Sequence, residues 1–209
     1  MYKIQEYLEL LQRTGYKTQN NPLLRIITDN VEICDYMAKT GSEIGIVYRG
    51  AYNTFVVDLL EDSNGNRFAH ERIIKNHPDN SVVVVPVYNG KFVLLKQFRY
   101  SMNDYQLSFP RGNGEVNISA ENNAVKEIIE ELHSEVISLK RMNKVISDSG
   151  ICGDMVNIFV CEITEPAVKA GYEGIESYCL VSYNELKQMI VNGMINDGFT
   201  LAAFAMLKD

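Results

Sequence analysis

The sequence predicts an α+β fold in which a β-sheet is sandwiched by helices, with a short helical extension ahead of it. Three observations predict this. From Ile44 onward, short runs of β-branched and aromatic residues alternate with Asn-Gly turns. One amphipathic stretch, Ser119 to Glu135, lies in mid-chain. Helical patterns return after Ser182. Each element has a single apolar face, and layering the elements is how those faces are covered.

The elements follow in order. Ile4, Tyr7, Leu8 and Leu11 fall at helical spacing, and Val31, Cys34 and Met37 suggest a second short helix capped by Thr28 or Asp29. Residues 1–43 are therefore expected to form an N-terminal helical extension, and residues 44–209 the main domain. Ile44 to Tyr48 and Thr54 to Leu60 read as strands. Asn64-Gly65 turns into a strand from Arg67 to Ile74, because Asn and Gly accept the positive φ angles of tight hairpins. Ser81 to Val87 is almost continuously apolar, as in a strand buried on both faces. Asn89-Gly90 turns it into Phe92 to Phe98. A loop is expected over Ser101 to Glu115, then the mid-chain helix. Strands follow at Ile137 to Val145, Val156 to Glu162 and Ser177 to Val181. Ser182 and Glu185 form a capping box that starts a helix ending near Gly193, and Thr200 to Leu207 suggests a last one.

Composition narrows the function. The 209 residues carry a formal charge of -7 and show no basic stripe, which argues against a nucleic-acid partner. Cys34, Cys152, Cys161 and Cys179 make no C-x-x-C pair and have no nearby histidines, so a zinc site is not expected. Reduced thiols, an N-terminus without an apolar signal core and the absence of a membrane-spanning run lead to the expectation of a cytoplasmic protein without a membrane partner.

The chemistry concentrates in Phe109-Pro110-Arg111-Gly112-Asn113-Gly114-Glu115 and the helix after it. On that helix Ala124, Val125, Ile128, Ile129 and Leu132 share an arc of roughly 140°. Glu127, Glu130 and Glu131 occupy the neighbouring arc, with Glu131 at the edge of the apolar face. Like charges at these spacings disfavour a helix by roughly 0.2–0.5 kcal/mol per pair. A divalent cation would remove that cost, and magnesium suits clustered carboxylates completed by water and phosphate oxygens. Taken alone, the helix has two readings, a solvated charged face and a cation site. The preceding loop narrows the choice, because Gly112 and Gly114 let backbone approach a ligand and Pro110 stiffens the entry.

At these residues the chain resembles the Nudix hydrolases. Gly112 matches the first glycine of their box, and Lys126-Glu127-Ile128-Ile129-Glu130-Glu131 its Arg-Glu core, with lysine for arginine. Gln97-Phe98-Arg99 is similar to the Gln-Tyr-Arg segment of ADP-ribose pyrophosphatases, and Tyr172-Glu173-Gly174-Ile175 to their later acidic loop. The resemblance covers residues from about 44 to 208 and implies a Nudix-type α/β/α sandwich of mixed sheets.

It also implies roles. Glu127 and Glu131, with the Arg111 carbonyl, would bind magnesium, or manganese in its place. Glu130 and Glu173 would be the catalytic carboxylates, Glu130 binding metal or orienting the attacking water and Glu173 acting as a distant metal ligand or a base. Arg99, Arg111 and Gly112 would contact a small nucleotide substrate, and the protein would be a homodimer. The reaction implied is hydrolysis of the pyrophosphate bond in a nucleoside diphosphate linked to another moiety, ADP-ribose or a nucleotide sugar. Four positions depart from the box: Ile118 stands where it has glutamate, Lys126 for arginine, His133 for its closing glycine and Ser134 for the next apolar residue. Glu115, three residues before Ile118, is the nearest substitute carboxylate, and His133 reads as a helix-end residue. Ile118 and Lys126 motivate the alternative, a catalytically weak nucleotide-sensing or regulatory module of the same fold.

Overall fold

The first helix forms where the apolar spacing puts it. Helix α1 spans Tyr2–Arg13 and buries Ile4, Tyr7, Leu10 and Leu11. The computed structural model describes residues 2–14, 21–77 and 79–207. The chain divides into two compact units, Met1–Asn76 with Asp148–Gly153, and His77–Ser147 with Asp154–Asp209. The change from helix to strand near residue 44 lies inside the first unit.

In that unit, β1 (Leu24–Ile26) and β2 (Gly45–Arg49) pair antiparallel with opposite ends of β3 (Asn53–Asp62). The segment before residue 44 is therefore not wholly helical, because three residues between its two helices are drawn into the sheet. Strand β4 (Arg67–Lys75) pairs with β3 from Asn53↔Lys75 to Glu61↔Arg67. Between them the Asp62 side chain accepts from the Asn64 and Asn66 amides, and Gly65 adopts φ 81°. Helix α2 (Asn30–Thr40) is capped by Asp29, which accepts from the Val31 and Glu32 amides, and it ends at Gly41 with φ 73°. Both helices bury apolar residues with Val56, Val57, Leu59 and Ile74 of the sheet. One polar cluster lies in this core. The Tyr7 hydroxyl donates to Asp58 at 2.6 Å, and Arg72 donates to the same carboxylate at 2.6 and 3.1 Å.

The second unit has a mixed sheet. Strand β5 (Val82–Tyr88) runs antiparallel to β6 (Lys91–Arg99) and parallel to β10 (Cys152–Ile163). Asn89 and Gly90 both take positive φ, 49° and 73°, as a two-residue hairpin turn requires. Strand β9 (Val136–Asp148) pairs with β10, and β11 (Ile175–Val181) runs antiparallel to β6. The expected loop over residues 101–115 contains two strands: β7 (Asp104–Ser108) pairs with β6, and β8 (Arg111–Gly112) pairs with β5. Both are short, so alternation within them is too brief to reveal them.

Helix α3 (Ala120–Leu132) covers one face of this sheet, meeting Val82, Val84, Val93, Leu95 and Phe159. Helices α4 (Tyr183–Val191) and α5 (Gly198–Met206) cover the other, meeting Val83, Val85, Leu94 and Ile158. The alternation of Val82 and Val84 with Val83 and Val85 is why β5 reads as a continuous apolar run. The Ser182–Glu185 capping box forms as expected, and α5 is capped by Asp197.

Candidate active site

Helix α3 begins at Ser119, whose hydroxyl accepts from the Asn122 amide at 3.1 Å, and ends at His133 in the left-handed region (φ 46°, ψ 38°). Its buried stripe is Ala120, Asn123, Ala124, Glu127, Ile128, Glu131 and Leu132. This corrects the apolar arc. Ile129 is 51% exposed and Val125 only partly buried, whereas Glu127 and Glu131 are 8% and 3% exposed. The helix is rolled so that the two carboxylates one turn apart face inward.

Gly112 makes room for that roll. A Cβ there would overlap the Glu127 carboxyl, with Glu127 Cγ only 2.7 Å away. The glycine is needed for close approach, because its φ is not in the left-handed region. The rest of the loop is held by buried polar side chains. Asn80 Nδ2 donates to the Glu115 and Ile118 carbonyls, each at 2.7 Å. Asn123 Nδ2 donates to the Asn80 and Asn113 carbonyls, and Ser81 Oγ accepts from the Gly114 amide.

In β8, Val82 faces Gly112 and Val83 faces Arg111, while the Val84 amide donates to the Pro110 carbonyl at 2.9 Å. Alternate residues of an antiparallel strand turn their polar groups towards the partner strand, so those of Arg111 point away from β5. The Arg111 N–H and carbonyl share that outward edge, and the backbone there lowers the proton affinity of Glu131. The Arg111 guanidinium goes elsewhere. It donates to Asp197 at 3.0 Å and lies over the Phe199 ring at 5.4 Å. Asp197, 5% exposed, also accepts from the Thr200 amide and hydroxyl.

The electrostatics follow from burial. Glu131 is pushed up to about 8, first by desolvation and then by the Glu127 charge, with Arg99 and the Arg111 N–H opposing. Glu127 is pushed up to about 7 by desolvation, with Lys126 opposing and Glu130, Glu173 and Glu115 adding. Glu131 Oε2 is buried without a hydrogen-bond partner among the described residues. The Arg99 side chain likewise makes no hydrogen bond there, and its Nε is buried. Burial and the neighbouring Arg111 disfavour its cation, while Glu131, Asp197 and Glu173 favour it.

Glu130 and Glu115 lie at the rim. Lys126 Nζ donates to Glu115 at 2.8 Å and to Glu130 at 2.9 Å, so a carboxylate from position 115 stands beside Lys126 where Ile118 offers none. Glu173 lies in the 3-10 turn Tyr172–Gly174, and its charge reaches Glu127, Glu131 and Arg99. Tyr172 is raised by desolvation and then by the charges of Glu130 and Glu173.

The structure thus brings Arg99, Arg111, Gly112, Glu127, Glu130, Glu131 and Glu173 into one neighbourhood. Sequence reading assigned no role to Asp197, Asn80, Ser81, Asn123 or Tyr172. An aspartate three residues before Thr200 and an apolar run was a legible cap signal. The asparagines gave none, because their partners are distant backbone carbonyls.

Among the described residues no three His, Cys, Asp or Glu side chains form a cage for a metal ion. Glu127, Glu131 and the Arg111 carbonyl nevertheless fit magnesium, which takes oxygen ligands, keeps several waters and uses few protein carboxylates. Two inward carboxylates that resist ionisation side by side, one with an unpartnered oxygen, are the donors such an ion favours.

An α3-type carboxylate helix entered through a glycine loop, on a mixed sheet with helices on both faces, defines the Nudix-type fold. No family model matches the chain. It is 26% identical over 116 residues to the ADP-ribose pyrophosphatase of Bacillus subtilis (strain 168), a match covering 56% of this chain and 62% of that protein. The chain therefore spans under two thirds of that relative's length. A solved structure of an ADP compounds hydrolase has the same fold, with TM-score 0.67 and 20% identity over 78% of this chain and 89% of that one. In sequence the chain is similar to an ADP-ribose pyrophosphatase, and in fold to an ADP compounds hydrolase.

Proposed function

We propose that this protein hydrolyses, with magnesium or manganese, the pyrophosphate bond of a nucleoside diphosphate linked to another moiety. ADP-ribose is the first substrate to test and nucleotide sugars the next. One observation carries the reading: Glu127 and Glu131 turn inward from one helix, Glu127 against the bare backbone of Gly112 and Glu131 within reach of the charge of the unpartnered Arg99. Such carboxylates favour a divalent cation, and such a guanidinium favours an anion. A metal-bound diphosphate matches both.

Each residue then has a task. Arg99 holds a phosphate oxygen, and Gly112 keeps Glu127 in its inward pose. Arg111, fastened to Asp197 and Phe199, presents its carbonyl beside Glu131. Lys126 orients Glu130, which with Glu173 is positioned to accept the proton of the attacking water. Glu127, Glu131 and the Arg111 carbonyl would hold magnesium, which would supply charge neutralisation and a more acidic water. Residues 44–209 carry the hydrolase and residues 1–43 are its extension, in a cytoplasmic homodimer that takes a small nucleotide. Free cysteines and an acidic chain support that setting, and no described helix is long and apolar enough to cross a membrane.

A phosphate-release assay coupled to a phosphatase, run on ADP-ribose and nucleotide sugars with magnesium or EDTA, tests this. Magnesium-dependent release that disappears in Glu131→Gln is expected. The second reading, a nucleotide-sensing module, is motivated by Ile118 and by the pairing of Glu130 with Lys126. Binding without turnover across the panel would establish it instead.

A further inference from the structure

We infer that Gln97 is a positioning residue whose buried amide clamps the Tyr172–Gly174 turn and so sets the pose of Glu173 for the reaction. The inference rests on the hydrolase reading above. Gln97 is 3% exposed on the inward face of β6, two residues before Arg99. Its Nε2 donates to the Glu173 carbonyl at 2.8 Å. Its Oε1 is buried without a partner among the described residues, so this is the one side-chain hydrogen bond the amide makes there. A buried amide gains little from the core unless it is bonded, so this contact, rather than packing, accounts for a glutamine at this position.

The turn it holds is an unusual one. Glu173 adopts φ 46° and ψ 28°, a region that costs a non-glycine residue free energy and persists only where surrounding contacts impose it. Gly171 and Gly174 flank it at φ 90° and 81°. Gly174 sits so close to β6 that a Cβ there would lie 2.9 Å from the Phe98 carbonyl oxygen. The Gly171 amide closes the base of the turn on the Ile175 carbonyl at 2.7 Å, and Ile175 pairs directly with Gln97. The turn is thus seated on Gln97 and Phe98. Its acidic side chain, whose charge reaches Glu127, Glu131 and Arg99, is thereby anchored through its own backbone.

The test is a double-mutant cycle on Gln97→Met and Glu173→Gln, with hydrogen exchange of residues 171–175 measured on the same proteins. Methionine keeps the length of the side chain and removes the donor. A misplacement of about 1 Å costs about 100-fold. Gln97→Met is therefore expected to lower kcat tenfold or more with KM within about twofold, and to speed amide exchange in the turn. The double variant is expected to be no slower than Glu173→Gln, because the clamp acts only through that residue. Unchanged exchange, unchanged kcat or a multiplicative double loss would each overturn the inference while leaving the hydrolase reading standing. A wild-type chain without turnover on any substrate would overturn both.

Discussion

Gly112→Ala isolates the contact on which the carboxylate site depends. The added methyl would occupy the space of the Glu127 carboxyl, whose Cγ is 2.7 Å from the new Cβ and whose outer atoms are closer still. Alanine tolerates the backbone at this position, where φ is not left-handed. Limiting the unfolded chain would by itself stabilise by about 0.4–1 kcal/mol. Overpacking opposes this at about 1–3 kcal/mol. The balance is a loss of about 1–2 kcal/mol in the wild-type background. In Glu127→Ala the overlapping atoms are absent, so the same substitution should become stabilising by about 0.4–1 kcal/mol.

The sign therefore reverses between backgrounds, with a coupling of roughly 1–3 kcal/mol, well above ordinary additivity error. Urea unfolding of the four proteins in EDTA measures it, with equal denaturant slopes as the check on two-state behaviour. Equal destabilisation by Gly112→Ala in both backgrounds would refute the close approach of loop and helix. In magnesium, Gly112→Ala should also lose turnover, because Glu127 has to swing out of the inward pose it shares with Glu131.

Three further outcomes are expected. Glu131, pushed from 4.5 to about 8, binds protons more readily in the folded chain, so its contribution falls as pH rises through that window. At about 1.4 kcal/mol per pH unit the cost approaches roughly 5 kcal/mol by pH 9. Metal-free Glu131→Gln should therefore be more stable than wild type at pH 9 and similar at pH 4.5, read by urea midpoints; a variant less stable at pH 9 contradicts this. Tyr7→Phe removes the 2.6 Å bond to buried Asp58 and should cost about 1–3 kcal/mol with no change in turnover; an unshifted urea midpoint contradicts it. His133→Gly relieves a left-handed non-glycine residue at an exposed helix end and should stabilise by about 0.5–1 kcal/mol, raising the melting temperature; a lower one would count against that reading.

Local chemistry was legible wherever a few consecutive residues decide the geometry. Asn89-Gly90, the Asp29 cap and the Ser182–Glu185 box each fix a turn or helix start through neighbours in sequence, and each sits where the sequence places it. What was illegible depends on distant partners. β7 and β8 exist because β6 and β5 offer them free edges, and nothing in five or two residues announces that. The loop is held by Asn80 and Asn123 through backbone carbonyls, which every residue type carries alike.

The roll of α3 joins both kinds of information. Periodicity counts apolar side chains and centres the buried stripe on them, which predicts Ile129 inside and the glutamates beside it. The observed stripe moves towards the carboxylates and leaves Ile129 half exposed. Gly112 is the reason on the other side of the contact: a strand residue without a side chain leaves a recess of carboxyl size, and Glu127 fills it. Desolvating two carboxylates is unfavourable, as their raised proton affinities record. A fold selected for stability alone would roll Ile129 inward and leave the glutamates in water. The arrangement is instead the expected consequence of a helix whose inner face has to offer oxygen atoms to a ligand, and conflict of this kind between local pattern and native packing concentrates at functional sites.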